Sequence, residues 1–214
     1  EEREGREEAH PGKVAPHGYT LGMRPATRIA LLATLAIAVA HLGDQYAWLH
    51  LGKPGVYDND FGRMLRIVGY LPLWILMAVA VWLHTSDRRT ALLIGGMPAL
   101  GGLAAEVAKI LLRRERPKLH DGAYYFRPFN DHFWSTRDIG LPSSHAFVAF
   151  SGAWILCRLY PKGWPVWVGL AAGCALTRVQ AEAHFLSDVT VAAVLAYGMV
   201  AWCWARWGAP PVSS

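Results

Sequence analysis

The chain has 214 residues, 53% of them hydrophobic, with ten tryptophans and a formal net charge of +5. That length suits one domain of ordinary size, and the apolar content with so many tryptophans favours a membrane class over a soluble one. The positive balance does not indicate nucleic acid, because the basic residues cluster between apolar runs with no basic arm or zinc-ligand spacing beside them.

Residues 1–26 open with EEREGREEAHPGKVAPHGYTLG, a polar, charged stretch dotted with Gly and Pro. It buries too little apolar surface to offset its ordering entropy and is expected to be a flexible tail. Six apolar runs follow, at 27–48, 64–84, 90–112, 143–160, 164–178 and 185–206. Most are near the ~20 residues that a helix needs to cross ~30 Å of hydrocarbon. The expected fold is all-α, a six-span transmembrane bundle over 27–207 with a short tail at 208–214. Read from Met23, the first run is similar to a signal peptide, with Arg24 and Arg28 ahead of IALLATLAIAVA and small residues at Ala38 and Ala40. It is taken here as an uncleaved span. The fifth run is short, but Trp164 and Trp167 mark an interface and Gly169 with Gly173 gives a small-residue packing face. Cys157, Cys174 and Cys203 fall inside apolar runs without CxxC spacing and read as packing residues. Basic residues populate both sets of loops, so the positive-inside rule gives no orientation.

Parity decides which segments can meet. In a six-span chain the end of span three, the start of span four and the turn between spans five and six share one membrane face. Each carries polar groups: KILLRRERP from Lys109 to Pro117, PSSH from Pro142 to His145, and TRVQAEAHFLSDV from Thr177 to Val189. Lys109 and Arg116 are seven residues apart, so they project from one face as long as the helix lasts. A lysine inside a span either meets an anion, pairs with Glu106 three residues earlier, or snorkels. Ser143 is placed to cap the helix of span four, whose free N–H groups and dipole attract anions. His184 and Asp188, at i and i+4, share one helical face, where the carboxylate accepts a proton from one ring nitrogen and so fixes the ring tautomer. Arg178 supplies a planar cation suited to phosphate oxygens. Three cations, two histidines, one carboxylate and a helix N-terminus are parts for phosphoryl transfer, with no cofactor and no metal required.

The spacing Lys-x6-Arg-Pro, Pro-Ser-x-His and Arg-x5-His-x3-Asp resembles the three-part signature of the type 2 phosphatidic-acid phosphatase family, integral-membrane lipid phosphate phosphatases. The motifs cover residues 109 to 188, and the six-span layout covers nearly the whole chain. The resemblance implies that His184 attacks phosphorus to form a phosphohistidine, with Asp188 orienting it. His145 would protonate the leaving oxygen, and Lys109, Arg116, Ser143, Ser144 and Arg178 would hold the phosphate. The family's usual glycine after Pro-Ser is Ser144 here, and its usual serine before the third arginine is Thr177. The implied partners are the bilayer and a phosphorylated lipid: undecaprenyl diphosphate, phosphatidylglycerol phosphate, phosphatidic acid or a lipid A phosphate. The implied location is a bacterial inner membrane, with the site on the periplasmic face. Phosphotransfer to a second lipid, or simple binding of anionic headgroups, remains an alternative, and oligomeric state is open.

Other residues say less. His120 and His132 flank a loop whose Tyr124, Tyr125, Phe126 and Phe129 suit a lipid interface. Arg127 and Arg137 either gather a headgroup or are solvated. Glu182 either tunes the nucleophile or is a surface charge. His41 and Asp44, near the end of the first span, have no account at this level.

Overall fold

The structure is a computed structural model, and it describes residues 24–208. The two expected tails therefore lie outside the described residues, apart from 24–26 and 208. Among the described residues seven α-helices run in order: α1 Pro25–Leu51, α2 Asp60–Ile67, α3 Leu71–Thr85, α4 Arg88–Leu112, α5 Ser144–Leu159, α6 Trp164–Gln180 and α7 Leu186–Trp207. Extended pairing among the described residues is limited to two isolated bridges, Arg114 with Phe126 and Glu115 with Ile139.

Local chemistry explains where the helices start. Proline stands in the first two positions of α1, α3 and α6, where its missing N–H breaks no helical bond. Asn59, Asp87 and Ser143 cap α2, α4 and α5 by accepting backbone N–H groups. Asp188, in the first turn of α7, accepts the N–H of Phe185 at 2.8 Å.

The apolar run at 64–84 is not one helix. It breaks at Val68–Tyr70 into α2 and α3, bent by 68°. Pro72 cannot continue a helix from the preceding turn, and the Trp74 indole N–H closes the break by donating to the Val68 carbonyl at 2.8 Å. Gly69 sits at the bend because a Cβ there would lie 2.7 Å from the His145 carbonyl oxygen and 2.8 Å from Cys174 Sγ. The bend is thus pressed against the first turn of α5.

Helix α5 is the axis of the bundle, packed against α4, α6 and α7. Ala146, Ala149 and Ala153 meet Ala171, Cys174, Ala192 and Ala196 in the core. Such small residues let helices approach closely where lipid supplies no hydrophobic drive. α1 lies outermost, and Leu42 on it is 85% exposed, a surface suited to acyl chains.

By length and hydropathy, α1, α4 and α7 can each cross a membrane, and the α2–α3 pair makes a fourth crossing if counted as one span. The criterion therefore yields three or four of the six crossings expected from sequence. The shortfall lies in α5 and α6, whose 16 and 17 residues extend only about 24–26 Å at 1.5 Å per residue.

Candidate active site

Three loops meet at one end of the bundle, and each carries one of the polar segments. Lys109, in the last turn of α4, is buried, with its ammonium 2.8 Å from Glu106 Oε1. It also donates to the Ser144 hydroxyl, which in turn donates to Glu106 at 2.6 Å. Of the three readings of Lys109 the structure shows the pair with Glu106, and the ammonium also reaches the start of α5. Ser144, standing where glycine is usual, joins the two.

Lys109 and Arg116 do not share a helical face. The helix stops at Leu112, with Arg113 closing it in the left-handed conformation at φ 53°. The chain continues extended, tied across the loop by Glu115 N–H to Tyr125 carbonyl at 2.9 Å and Arg116 N–H to Asp138 carbonyl at 3.0 Å. Tertiary bonding of this loop, not helical spacing, carries Arg116 toward His184.

His184 likewise lies outside the helix, just ahead of the α7 cap Phe185. Its Nδ1 is 3.0 Å from the Gly140 carbonyl. A carbonyl can only accept, so in the neutral ring the proton sits on Nδ1 and Nε2 keeps a free lone pair. Asp188 stands beside this ring, but its Oδ2 at 3.6 Å from Nδ1 is farther than the Gly140 carbonyl. Of the i,i+4 pair only Asp188 is helical. Its oxygens are taken by the Phe185 N–H and by Arg114, 2.5 Å away. Gly140 has no side chain for a steric reason, since a Cβ there would approach Asp188 Oδ2 to 2.9 Å. Burial pushes the His184 pKa down to about 4; Asp188 opposes the shift, and Arg178 and Arg116 reinforce it. The imidazole is therefore neutral at pH 7.

Arg178, at the end of α6, is buried and donates to the Tyr57 hydroxyl at 3.1 Å. Tyr57 passes its own proton to the Thr177 carbonyl at 3.0 Å. The Nε–H groups of Arg116 and Arg178 are buried without a partner among the described residues, as is that of Arg114, whose charge is met by Asp188. Burial and the charge of Arg178 hold Arg116 below its ordinary pKa, still protonated. His145 lies in electrostatic reach of Arg178, His184 and Lys109, and Ser143 caps its helix through the Ala146 N–H at 3.4 Å. All eight residues singled out in the sequence thus converge on one end of the bundle.

Sequence reasoning passed over Arg113, Arg114, Gly140 and Tyr57. Arg113 binds the carbonyls of Arg127, Pro128, Asp131 and Phe133 and so folds the α4–α5 loop. Arg127 is not a headgroup collector, being held by Glu115 at 2.6 Å and by the Arg137 carbonyl. Burial would raise the Glu115 pKa, but hydrogen bonds from His120 and Arg127 outweigh it and keep the carboxylate ionised. Asp44, unexplained in the sequence, accepts the Ser187 N–H at 2.7 Å, the Ser187 hydroxyl and the Tyr124 hydroxyl. It thereby pins α1 to the start of α7. Tyr124 is pushed up to about 12 by burial and by Asp44, so it remains a donor. Glu182 takes a left-handed turn at φ 56° and borders a 350 Å³ pocket with Lys53, Tyr57 and Gln180.

The sequence profile of the PAP2 superfamily matches residues 90–209, more than half of the chain. The chain belongs to the PAP2 superfamily. PAP2 proteins are in the main phosphatases, which sets the coarse class as phosphoric ester hydrolysis in an apolar, membrane-suited scaffold. The PAP2 match takes in Lys109, Arg116, His145, Arg178 and His184 but begins after α1, α2 and α3. No curated protein and no solved structure matches the chain.

Proposed function

We propose that the protein is a six-span membrane phosphatase that removes a terminal phosphate from a lipid phosphate monoester or diphosphate. The observation that carries this is the pair of buried, unpartnered guanidinium Nε–H groups on Arg116 and Arg178 beside a neutral His184. Buried donors without acceptors are unfavourable by about 1–3 kcal/mol each, and a phosphate would satisfy both. The short α5 completes its crossing in this reading because it is packed inside the bundle, where its ends need not reach lipid.

In the chemistry that follows, His184 Nε2 attacks phosphorus while Gly140 holds the Nδ1 proton. Arg116, Arg178 and Lys109 hold the equatorial oxygens, with Ser143, Ser144 and the N-terminus of α5 beneath them. His145 gives its proton to the leaving oxygen. Water then attacks the phosphohistidine, giving a proton back to His145 as the bond from phosphorus to Nε2 breaks, and inorganic phosphate leaves with His184 regenerated. Asp188 acts through Arg114 and the α7 cap by holding the backbone that carries His184. The family's pattern supports a bacterial inner membrane with the site on its periplasmic face.

Purified protein in detergent should release phosphate from at least one of undecaprenyl diphosphate, phosphatidylglycerol phosphate, phosphatidic acid or a lipid A phosphate with chelator present. His184→Ala should reduce this to background. Full activity in that variant would end the phosphohistidine mechanism, and label appearing on a second lipid instead of in free phosphate would make the protein a phosphotransferase.

A further inference from the structure

The loop between α1 and α2, with the last turn of α2, forms a wall of the site that the chemistry above does not use. It docks on the α6–α7 turn through the Lys53 N–H, which donates to the Gln180 carbonyl at 2.9 Å, and through Tyr57. Tyr57 holds two guanidinium groups at once. Arg178 donates to its hydroxyl, and Arg66 lies over its ring with Cζ 4.8 Å from the centroid. Three residues beyond Arg66, Gly69 packs so closely on His145 that a Cβ would come within 2.9 Å of the His145 Cβ. Arg66 itself is exposed and in electrostatic reach of His145. No carboxylate pairs with it among the described residues, whereas Arg63, one turn earlier, is taken by Asp60 and by the carbonyls of Tyr57 and Asp58.

From this arrangement we infer that Arg66 binds the leaving group's own phosphate, which makes lipid diphosphates the preferred substrates. The inference rests on the phosphatase reading above. In-line attack by His184 expels the leaving oxygen on the side of His145. A monoester expels an alkoxide, which needs the proton of His145. A diphosphate expels a lipid monophosphate, which carries its charge away on several oxygens and is helped chiefly by a cation beside it. The charge of Lys109 is offset by Glu106, so the net charge of Lys109, Arg116 and Arg178 with Glu106 matches the transferred phosphoryl group and leaves none for a second one. Arg66 supplies it, with a planar fork suited to two phosphate oxygens. In the step, the bond from His184 Nε2 to phosphorus forms as the bond from phosphorus to the bridging oxygen breaks. The electron pair stays on that oxygen, and lipid monophosphate departs. Water then cleaves the phosphohistidine, so one diphosphate and one water give one lipid monophosphate and one inorganic phosphate.

Initial rates on farnesyl diphosphate and farnesyl monophosphate, which share one tail, isolate the second phosphate. The wild type should favour the diphosphate. Arg66→Ala should cut the diphosphate-to-monophosphate ratio of kcat/KM by roughly 10- to 100-fold, the loss of one charge-assisted contact. Arg66→Lys, which keeps the charge without the fork, should fall between. Equal losses on both probes, or a ratio within about twofold of wild type, would overturn the role of Arg66 while leaving the phosphatase intact. Wild-type protein that hydrolyses neither probe would overturn the phosphatase reading and this inference with it.

Discussion

Replacing Arg114 with methionine removes the cation from a pair in which Arg114 is 1% exposed and Asp188 is fully buried. The side chain donates to Asp188 at 2.5 Å and to the Ser187 hydroxyl at 2.7 Å, and it lies against the rings of Tyr124 and Phe185. Methionine fills much of the same space but strands a buried carboxylate without its counter-ion. Removing one partner of such a pair is destabilising by about 3–5 kcal/mol. In a chain of this size each kcal/mol lowers Tm by roughly 2–4 °C, so a fall of roughly 6–20 °C is expected. Thermal unfolding in detergent reads it directly. Adding Asp188→Asn removes the stranded charge and should recover a good part of the loss, because the amide still accepts the Phe185 N–H. A single variant within about 1 kcal/mol of wild type, or a double variant less stable than the single, would refute the pairing and return Asp188 to a direct role on His184.

Two further outcomes follow from the same geometry. Burial lowers the His184 pKa from 6.5 to about 4; the nucleophile is then neutral above that value and protonated below it. The acid limb of kcat/KM should therefore fall near pH 4, and a limb near 6.5 would show that the free ring is solvated. The same shift makes stability fall with pH between 6.5 and about 4, since the unfolded chain takes up this proton first. Asp44→Ala leaves the N–H and hydroxyl of Ser187 and the hydroxyl of Tyr124 without their acceptor. A loss of about 2–5 kcal/mol is expected; unfolding midpoints matching wild type would mean that α1 is held by its apolar contacts alone.

The helices were legible from the sequence because apolar runs and their caps are local signals: Asp87, Ser143 and Pro165 stand where helices begin. The break at Gly69 was missed because hydropathy averages over it, although Pro72 gave a local warning. The site residues were found through their spacing, but the reasons for their placement were not. Lys109 and Arg116 meet across a left-handed cap at Arg113, and His184 is aligned by Gly140, 44 residues away. Backbone carbonyls carry no mark in a sequence, so a tautomer fixed by one is invisible there. Asp188 looked like the histidine's partner because its spacing allows two roles, and the helix cap took it.

The arginines show what finally separates a site from its scaffold. Arg113, Arg114 and Arg116 lie within four residues, and the spacing that singled out Arg116 says nothing of what the other two do. The structure divides them by what their donors meet. Arg113 spends its fork on four loop carbonyls, and Arg114 is neutralised by Asp188. Arg127, farther along the same loop, is spent on Glu115. Arg116 and Arg178 retain buried Nε–H groups with no acceptor, as Arg114 does, but neither has a carboxylate at ion-pair distance among the described residues, and Arg178 is steadied by a neutral phenol instead. A carboxylate in that place would compete with phosphate for the same fork, whereas a tyrosine hydroxyl positions the cation and leaves its charge available. The same logic extends to Arg66, which rests on the face of that tyrosine and has no carboxylate paired with it among the described residues. Cations with donors left over and no carboxylate partner, and not cations counted along the chain, define where this fold can grip an anion.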